Sequence, residues 1–230
     1  MQILFHGHSC VQLISEKTSL IIDPFISGNP NAKTNINDIS VDYVLLTHGH
    51  EDHILDAENI ANQNDAPIIC NVELATFMEW KNLKTEPMNI GGQVKFPSFK
   101  VKMIKAFHSS SIVFNERKEI VFLGMPAGFI IEMGGKTILH TGDTSLYYDM
   151  KLIGEQYSVD LAFLPIGDRF TMGIDDAVQA AEWIGAKCVV PVHYNTFPFI
   201  EQNERDFEAK LNDKGIKCFP LNIGESFSLT

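Results

Sequence analysis

The sequence predicts an α/β fold in which two mixed sheets face each other and helices cover their outer sides. Three observations lead there. Short β-branched and apolar runs alternate with segments of helical periodicity. A β-rich stretch followed by a helical one occurs in the first half of the chain and again in the second. No linker, low-complexity tract or break in composition separates the halves, so residues 1–230 read as one domain. Two sheets packed face to face, with helices outside, bury both sets of apolar runs.

Residues 3–5 and 10–14 read as strands around the turn His6-Gly7-His8-Ser9. Residues 19–22 form a third, ended by Asp23-Pro24, because proline cannot continue a central strand. Residues 27–40 are rich in Asn, Gly and Pro and read as a surface loop. Residues 41–46 form a buried strand. A helix is expected over 54–64 with Asp56 as its N-cap, then a strand at 67–70 and a helix over 73–82. Strands resume at 86–90, 93–96 and 101–106. Residues 112–114 with 120–123 read as one hairpin, and 129–132 with 136–139 as another around Gly134-Gly135. The remainder reads as a helix over 146–153, a strand over 160–164, a helix capped by Asp175 or Asp176, a strand over 187–191, a helix over 200–211 and a last strand at 227–229.

The stretch Thr47-His48-Gly49-His50-Glu51-Asp52-His53 lies where a buried strand ends and a helix begins. Imidazole nitrogens and carboxylate oxygens are ligands for zinc and similar divalent ions. Gly49 allows the tight bend that lets His48 and His50 converge. Asp52 and His53 come one turn later and face a different point, so two adjacent ions suit so short a loop better than one. Further along, His108, Asp143 and His193 each follow an expected core strand. Ligands at the ends of several strands converge on one edge of a sandwich.

The chain has 18 Lys and Arg against 29 Asp and Glu, a net charge of −11. That argues against a non-specific nucleic-acid binder, which needs a basic surface. No apolar run approaches the roughly 20 residues of a membrane span, and no targeting segment is visible. A cytoplasmic protein is expected, with a homo-oligomer open to it. Cys10, Cys70, Cys188 and Cys218 are widely spaced, form no CxxC pair, and read as buried reduced thiols.

Several runs together resemble the metallo-β-lactamase superfamily, and within it the UPF0173 metal-dependent hydrolases, close to the lactonase-like group. They are Gly7-His8-Ser9, Ile22-Asp23-Pro24, the run 47–53, His108, the run 124–129 and His140-Thr141-Gly142-Asp143-Thr144, followed by the runs 164–173 and 191–196. The resemblance spans the whole chain. It implies a four-layer αβ/βα metallo-β-lactamase sandwich holding two divalent ions, zinc first, with manganese or iron open. By the same resemblance His48, His50 and His108 hold one ion, Asp52, His53 and His193 the other, and Asp143 bridges them. Asp168 stands where many relatives have glycine.

The function this implies is a hydrolase in which a bridging hydroxide attacks an ester, lactone or phosphoester, with Asp52 orienting the nucleophile. Three alternatives are weighed against it. A redox di-iron protein of this fold carries glutamate where His50 stands. A metal-dependent nuclease disagrees with the acidic balance. A metal-binding module without catalysis leaves the complete ligand set without a task. Asp23 is expected to orient a ligand histidine rather than bind metal, and His140 to do similar work beside Asp143. Arg169 is expected to anchor an anionic small-molecule substrate, the alternative being an ion pair with Asp168 or Asp175. Thr171, Tyr194 and Thr196 are placed in the same region, and His8 is expected to reach the pocket as a catalytic residue.

Overall fold

Alternating burial along the strands builds the architecture seen in the computed structural model, which describes residues 1–230. In the first half β1 (Gln2–Gly7), β2 (Cys10–Ile14), β3 (Ser19–Ile22), β4 (Tyr43–Leu45), β5 (Ile68–Asn71) and β6 (Thr85–Met88) lie side by side in that order. Helices α1 (Glu51–Ile54), α2 (Ala57–Asn64) and α3 (Val72–Glu79) accompany them. Next come β7 (Gln93–Lys95) and β8 (Phe99–Lys105), then the separate hairpin β9 (Ser111–Phe114) and β10 (Glu119–Phe122). The chain continues through β11 (Ala127–Met133), β12 (Lys136–His140), α4 (Met150–Gln156), β13 (Leu161–Pro165), α5 (Ile174–Ile184), β14 (Cys188–Val192), α6 (Glu204–Asp213) and β15 (Lys217–Cys218). The second sheet has the order β15-β14-β13-β12-β11-β8-β7. The last strand, β16 (Ser226–Ser228), returns to the first sheet and pairs with β1.

Side chains of a strand point alternately to opposite faces, and here the two faces meet different cores. Leu20 and Ile22 of β3 point between the sheets, while Ile21 points to α2 and α3. Leu161 and Phe163 of β13 enter the same central layer, while Ala162 and Leu164 pack under α4 and α5. Three apolar layers result, one between the sheets and one under each set of helices, as the four-layer αβ/βα arrangement requires.

Strand direction then sets the edge on which the polar residues collect. β3, β4 and β5 are parallel, as are β12, β13 and β14, and β8 runs with β12 because both are antiparallel to β11. Two backbone hydrogen bonds tie the sheets together at this edge. Ala127 N–H donates to Thr47 O at 3.0 Å, and His193 N–H donates to His8 O at 2.8 Å.

Several boundaries differ from expectation for identifiable reasons. The helix expected over 54–64 is α2, which begins at Ala57, and the separate short α1 precedes it inside the histidine-rich stretch, with Glu51 and Asp52 in its first turn. Asp56 makes no capping bond. Its carboxylate instead accepts from the backbone N–H groups of Ile26 and Ser27 and from the Ser27 hydroxyl, pinning the loop after Pro24. Gly173, not Asp175 or Asp176, precedes α5, and the two acids occupy its first turn. Asn203 caps α6, so that helix starts later than residue 200. The four cysteines are buried and free.

Candidate metal centre

Every side chain assigned as a ligand from the sequence lies at the common edge, and most are aimed at one carboxylate oxygen. Asp143 Oδ2 lies 3.0 Å from His193 Nε2, 3.3 Å from His53 Nε2, 3.6 Å from His108 Nε2 and 3.9 Å from His48 Nε2. Asp52 Oδ2 lies 3.7 Å from His193 Nε2 and 3.9 Å from His53 Nε2. His48, His50 and His108 form one group of mutually close donor atoms, and Asp52, His53 and His193 belong to another, which also includes His8.

Local backbone chemistry holds these side chains. Thr47 lies two residues after β4; its N–H donates to Asp23 Oδ1 at 2.8 Å and its hydroxyl donates to Asp23 Oδ2 at 2.6 Å. That hydroxyl proton is then used, so His48 Nδ1–H donates to Thr47 Oγ1 at 2.9 Å. Asp23 Oδ2 also accepts from His53 Nδ1–H at 2.8 Å. Asp23 thus fixes the ring of His53, one of the histidines assigned as a ligand from the sequence. Nε2 of His48 is left as a bare lone pair directed into the cluster, and Nε2 of His53 becomes one when its proton is displaced.

His50 completes the pattern. His50 Nε2 meets the Ser109 hydroxyl at 3.2 Å, and His50 Nδ1 lies 2.9 Å from His48 Nε2, a contact that a single ring proton bridges when no metal is bound. Replacing that one proton by a cation would leave both nitrogens as donors converging on one point. His53 Nε2 and Asp143 Oδ1 are buried with no hydrogen-bond partner, and an unmet buried polar atom costs about 1–3 kcal/mol. The donor set of imidazoles and carboxylates fits a divalent metal.

Electrostatics agree. Burial, reinforced by neighbouring His53, holds His48 well below the usual histidine range, and burial lowers His50 to about 4. Burial opposes charge on His53 and His193 too, but there the carboxylates outweigh it. Asp143 and Asp23 raise His53 well above its ordinary value, and Asp143 lifts His193 to about 9. Burial opposes ionisation of Asp143, yet His193 and His53 hold it well below the carboxylate range. Without a metal the site therefore keeps protons where a cation would sit.

Close packing explains two glycines. A side chain at Gly49 would meet Leu123 at 2.6 Å; the residue is needed for space and not for a left-handed bend. A side chain at Gly167 would lie 2.3 Å from His193 O. Asp168, just beyond, has φ +68°, a left-handed conformation that glycine adopts at no steric cost. His8, Asp23 and His193 share positive φ values, and such backbone concentrates at functional sites.

Other expected residues divide. His140 touches no ligand histidine: it accepts from Gly142 N–H on Nδ1 and donates from Nε2 to Ser9 O, shaping the turn before Asp143. Arg169 forms no ion pair with Asp168 or Asp175, since Asp175 is taken by Lys210. Its guanidinium lies over the Phe199 ring at 4.5 Å and the Phe170 ring at 5.7 Å. Thr171 bonds only its own loop, and Tyr194 is half-buried. Thr196 bonds His8, which reaches Asp52. Thr47 and Ser109, both partners of ligand histidines, were missed; each adjoins a ligand in sequence, and that adjacency was the available signal.

The beta-lactamase superfamily domain model matches residues 2–193. The chain is 50% identical over 229 residues to a UPF0173 metal-dependent hydrolase of Bacillus cereus, and 49% identical to one of Anoxybacillus flavithermus, with all of each chain covered. Among solved structures it resembles Igni18, a metallo hydrolase of Ignicoccus hospitalis, at 33% identity and TM-score 0.89, covering 100% of this chain and 99% of the other. An isothiocyanate hydrolase from Delia radicum gut bacteria shares the fold at 18% identity and TM-score 0.77, covering 99% and 98%. No helix is long and apolar enough to cross a membrane. The chain belongs to the UPF0173 metal-dependent hydrolases of the metallo-β-lactamase superfamily.

Proposed function

We propose that the chain, read as one domain, holds two divalent ions and hydrolyses an ester, lactone or phosphoester of an anionic small molecule. The observation that carries this reading is the convergence of imidazole and carboxylate donor atoms in two adjoining groups, with buried His53 Nε2 and Asp143 Oδ1 left without a hydrogen-bond partner. His48, His50 and His108 would hold one ion, Asp52, His53 and His193 the other, with Asp143 between them. When bound, such ions lower the pKa of water toward about 7 and polarise the bond under attack.

The chain's own residues do the rest. Asp23 and Thr47 fix the tautomers of His53 and His48, so their lone pairs stay available. Asp52 orients the attacking water; its side chain is about a third exposed at 31%, whereas that of Asp143 is 3% exposed. Arg169 anchors the substrate's carboxylate or phosphate. Its aromatic support leaves the N–H edge free, and a guanidinium binds either group through two parallel hydrogen bonds. In a chain of net charge −11, that free cation favours an anionic ligand.

Chelated protein should be inactive against a panel of anionic lactones, esters and phosphoesters, and Zn2+, Mn2+ or Fe2+ should restore turnover. Turnover unaffected by chelation would overturn the reading. Oxygen consumption without hydrolysis would favour the redox alternative.

A further inference from the structure

His8 is fully enclosed, 1% exposed, and sits in left-handed backbone with φ 55°. Its ring packs against Phe25 at 5.4 Å, Phe197 at 5.6 Å and His193 at 4.2 Å between centroids. Both nitrogens are engaged: Nε2 lies 3.0 Å from Asp52 Oδ2, and Nδ1 lies 2.9 Å from Thr196 Oγ1. The other contact open to the Thr196 hydroxyl, Tyr194 O, is longer at 3.4 Å.

A neutral imidazole carries one N–H. Asp52 faces His8, His53 and His193 and is an acceptor. A bare Nε2 would set a lone pair against the carboxylate, so the proton belongs on Nε2. Nδ1 then accepts, and the Thr196 hydroxyl donates to it. The same oxygen, Asp52 Oδ2, lies nearest His53 and His193. A second-ion set of Asp52, His53, His193 and Asp143 already supplies four donors, the usual complement of zinc.

We propose that His8 is a positioning residue: it donates from Nε2 to Asp52 Oδ2, with its tautomer set by Thr196, and so holds that carboxylate toward His53 and His193. The assignment rests on the metal reading above. Phe25 and Phe197 keep water from competing for the His8–Asp52 bond, and the His193 N–H bond to His8 O fixes the backbone of both residues together. His8 acts through Asp52 and does not need to touch substrate.

Zn2+ titration of the full chain against a chromophoric chelator tests this, with far-UV circular dichroism and thermal melting as folding controls. His8→Leu should weaken the second Zn2+ by about 10–100-fold, the range for lost partners of metal ligands, and leave the first unchanged. Thr196→Val should weaken it less. Thr196→Ser, which keeps the hydroxyl, should bind as the unaltered chain does, and His8→Gln, whose amide can donate, should recover part of the loss. Co2+-substituted Thr196→Val should show shifted visible bands from the second ion, a change that a purely structural role would not produce. Unchanged second-ion affinity in a folded His8→Leu chain would overturn the assignment while leaving the metal reading intact. Loss of a whole equivalent in His8→Leu, with no recovery in His8→Gln, would make His8 a ligand and also overturn it. Failure of the unaltered chain to bind Zn2+ would overturn both.

Discussion

The two halves of the chain contribute to the centre in different ways. The first supplies His48, His50, Asp52 and His53 from one strand–turn–helix unit, braced by Thr47 within it and by Asp23 from the end of the adjacent strand β3. The second supplies His108, Asp143 and His193, each from the end of a different strand. A local unit can hold its ligands with few long-range contacts. Dispersed ligands meet only if the second sheet is in register and docked on the first. The first half should therefore tolerate distant packing defects better, and the second should be the more sensitive to them.

The largest effect is expected at Asp143, which faces four histidines. Asp143→Asn should lower turnover by more than ~100-fold, beyond the range seen for partners of ligands, and reduce the content of both ions by elemental analysis. His48→Ala and His193→Ala sharpen the comparison. Each should lose roughly one metal equivalent, and two full equivalents in both variants would contradict the ligand assignment.

Asp23→Asn comes next. It keeps the shape but supplies an amide where His53 and Thr47 need an acceptor, so metal affinity should fall by about 10–100-fold. Proton linkage gives a further effect. The carboxylates raise His193 to about 9, so below that pH its proton must leave before a cation binds. Zn2+ affinity should therefore fall as pH drops from 9 toward 6, with proton release visible by calorimetry in buffers of different ionisation enthalpy. The smallest effect is expected at Arg169→Met: KM for an anionic substrate should rise by about tenfold, ~1.4 kcal/mol, with a neutral analogue and metal content unaffected.

The same contrast governs what the sequence revealed. His48 to His53 are legible because spacing alone brings them together, and a β-run before them marks the turn. His108, Asp143 and His193 are ambiguous singly and become informative only through their shared position after core strands. Asp23 was legible because Pro24 forces the strand to end there. Asp56 stands at the N-cap position of α2 as read, but its side chain serves a distant loop, a tertiary demand that local propensity does not record. Gly49 was correctly seen as necessary, but the reason lies in Leu123, far along the chain. The aromatic seat of Arg169 was invisible because Phe199 reaches it only through the folded loop after β14.

The bond from His193 N–H to His8 O joins residues near opposite ends of the sequence. Closing so large a loop is slow in chains dominated by non-local pairing, because ordering precedes the contacts that reward it. During refolding the contiguous histidine-rich turn is expected to form before Asp143 and His193 arrive with the second sheet. Early metal capture would be partial and readily exchanged, and retention against a chelator would mark the moment when the two sheets close on each other.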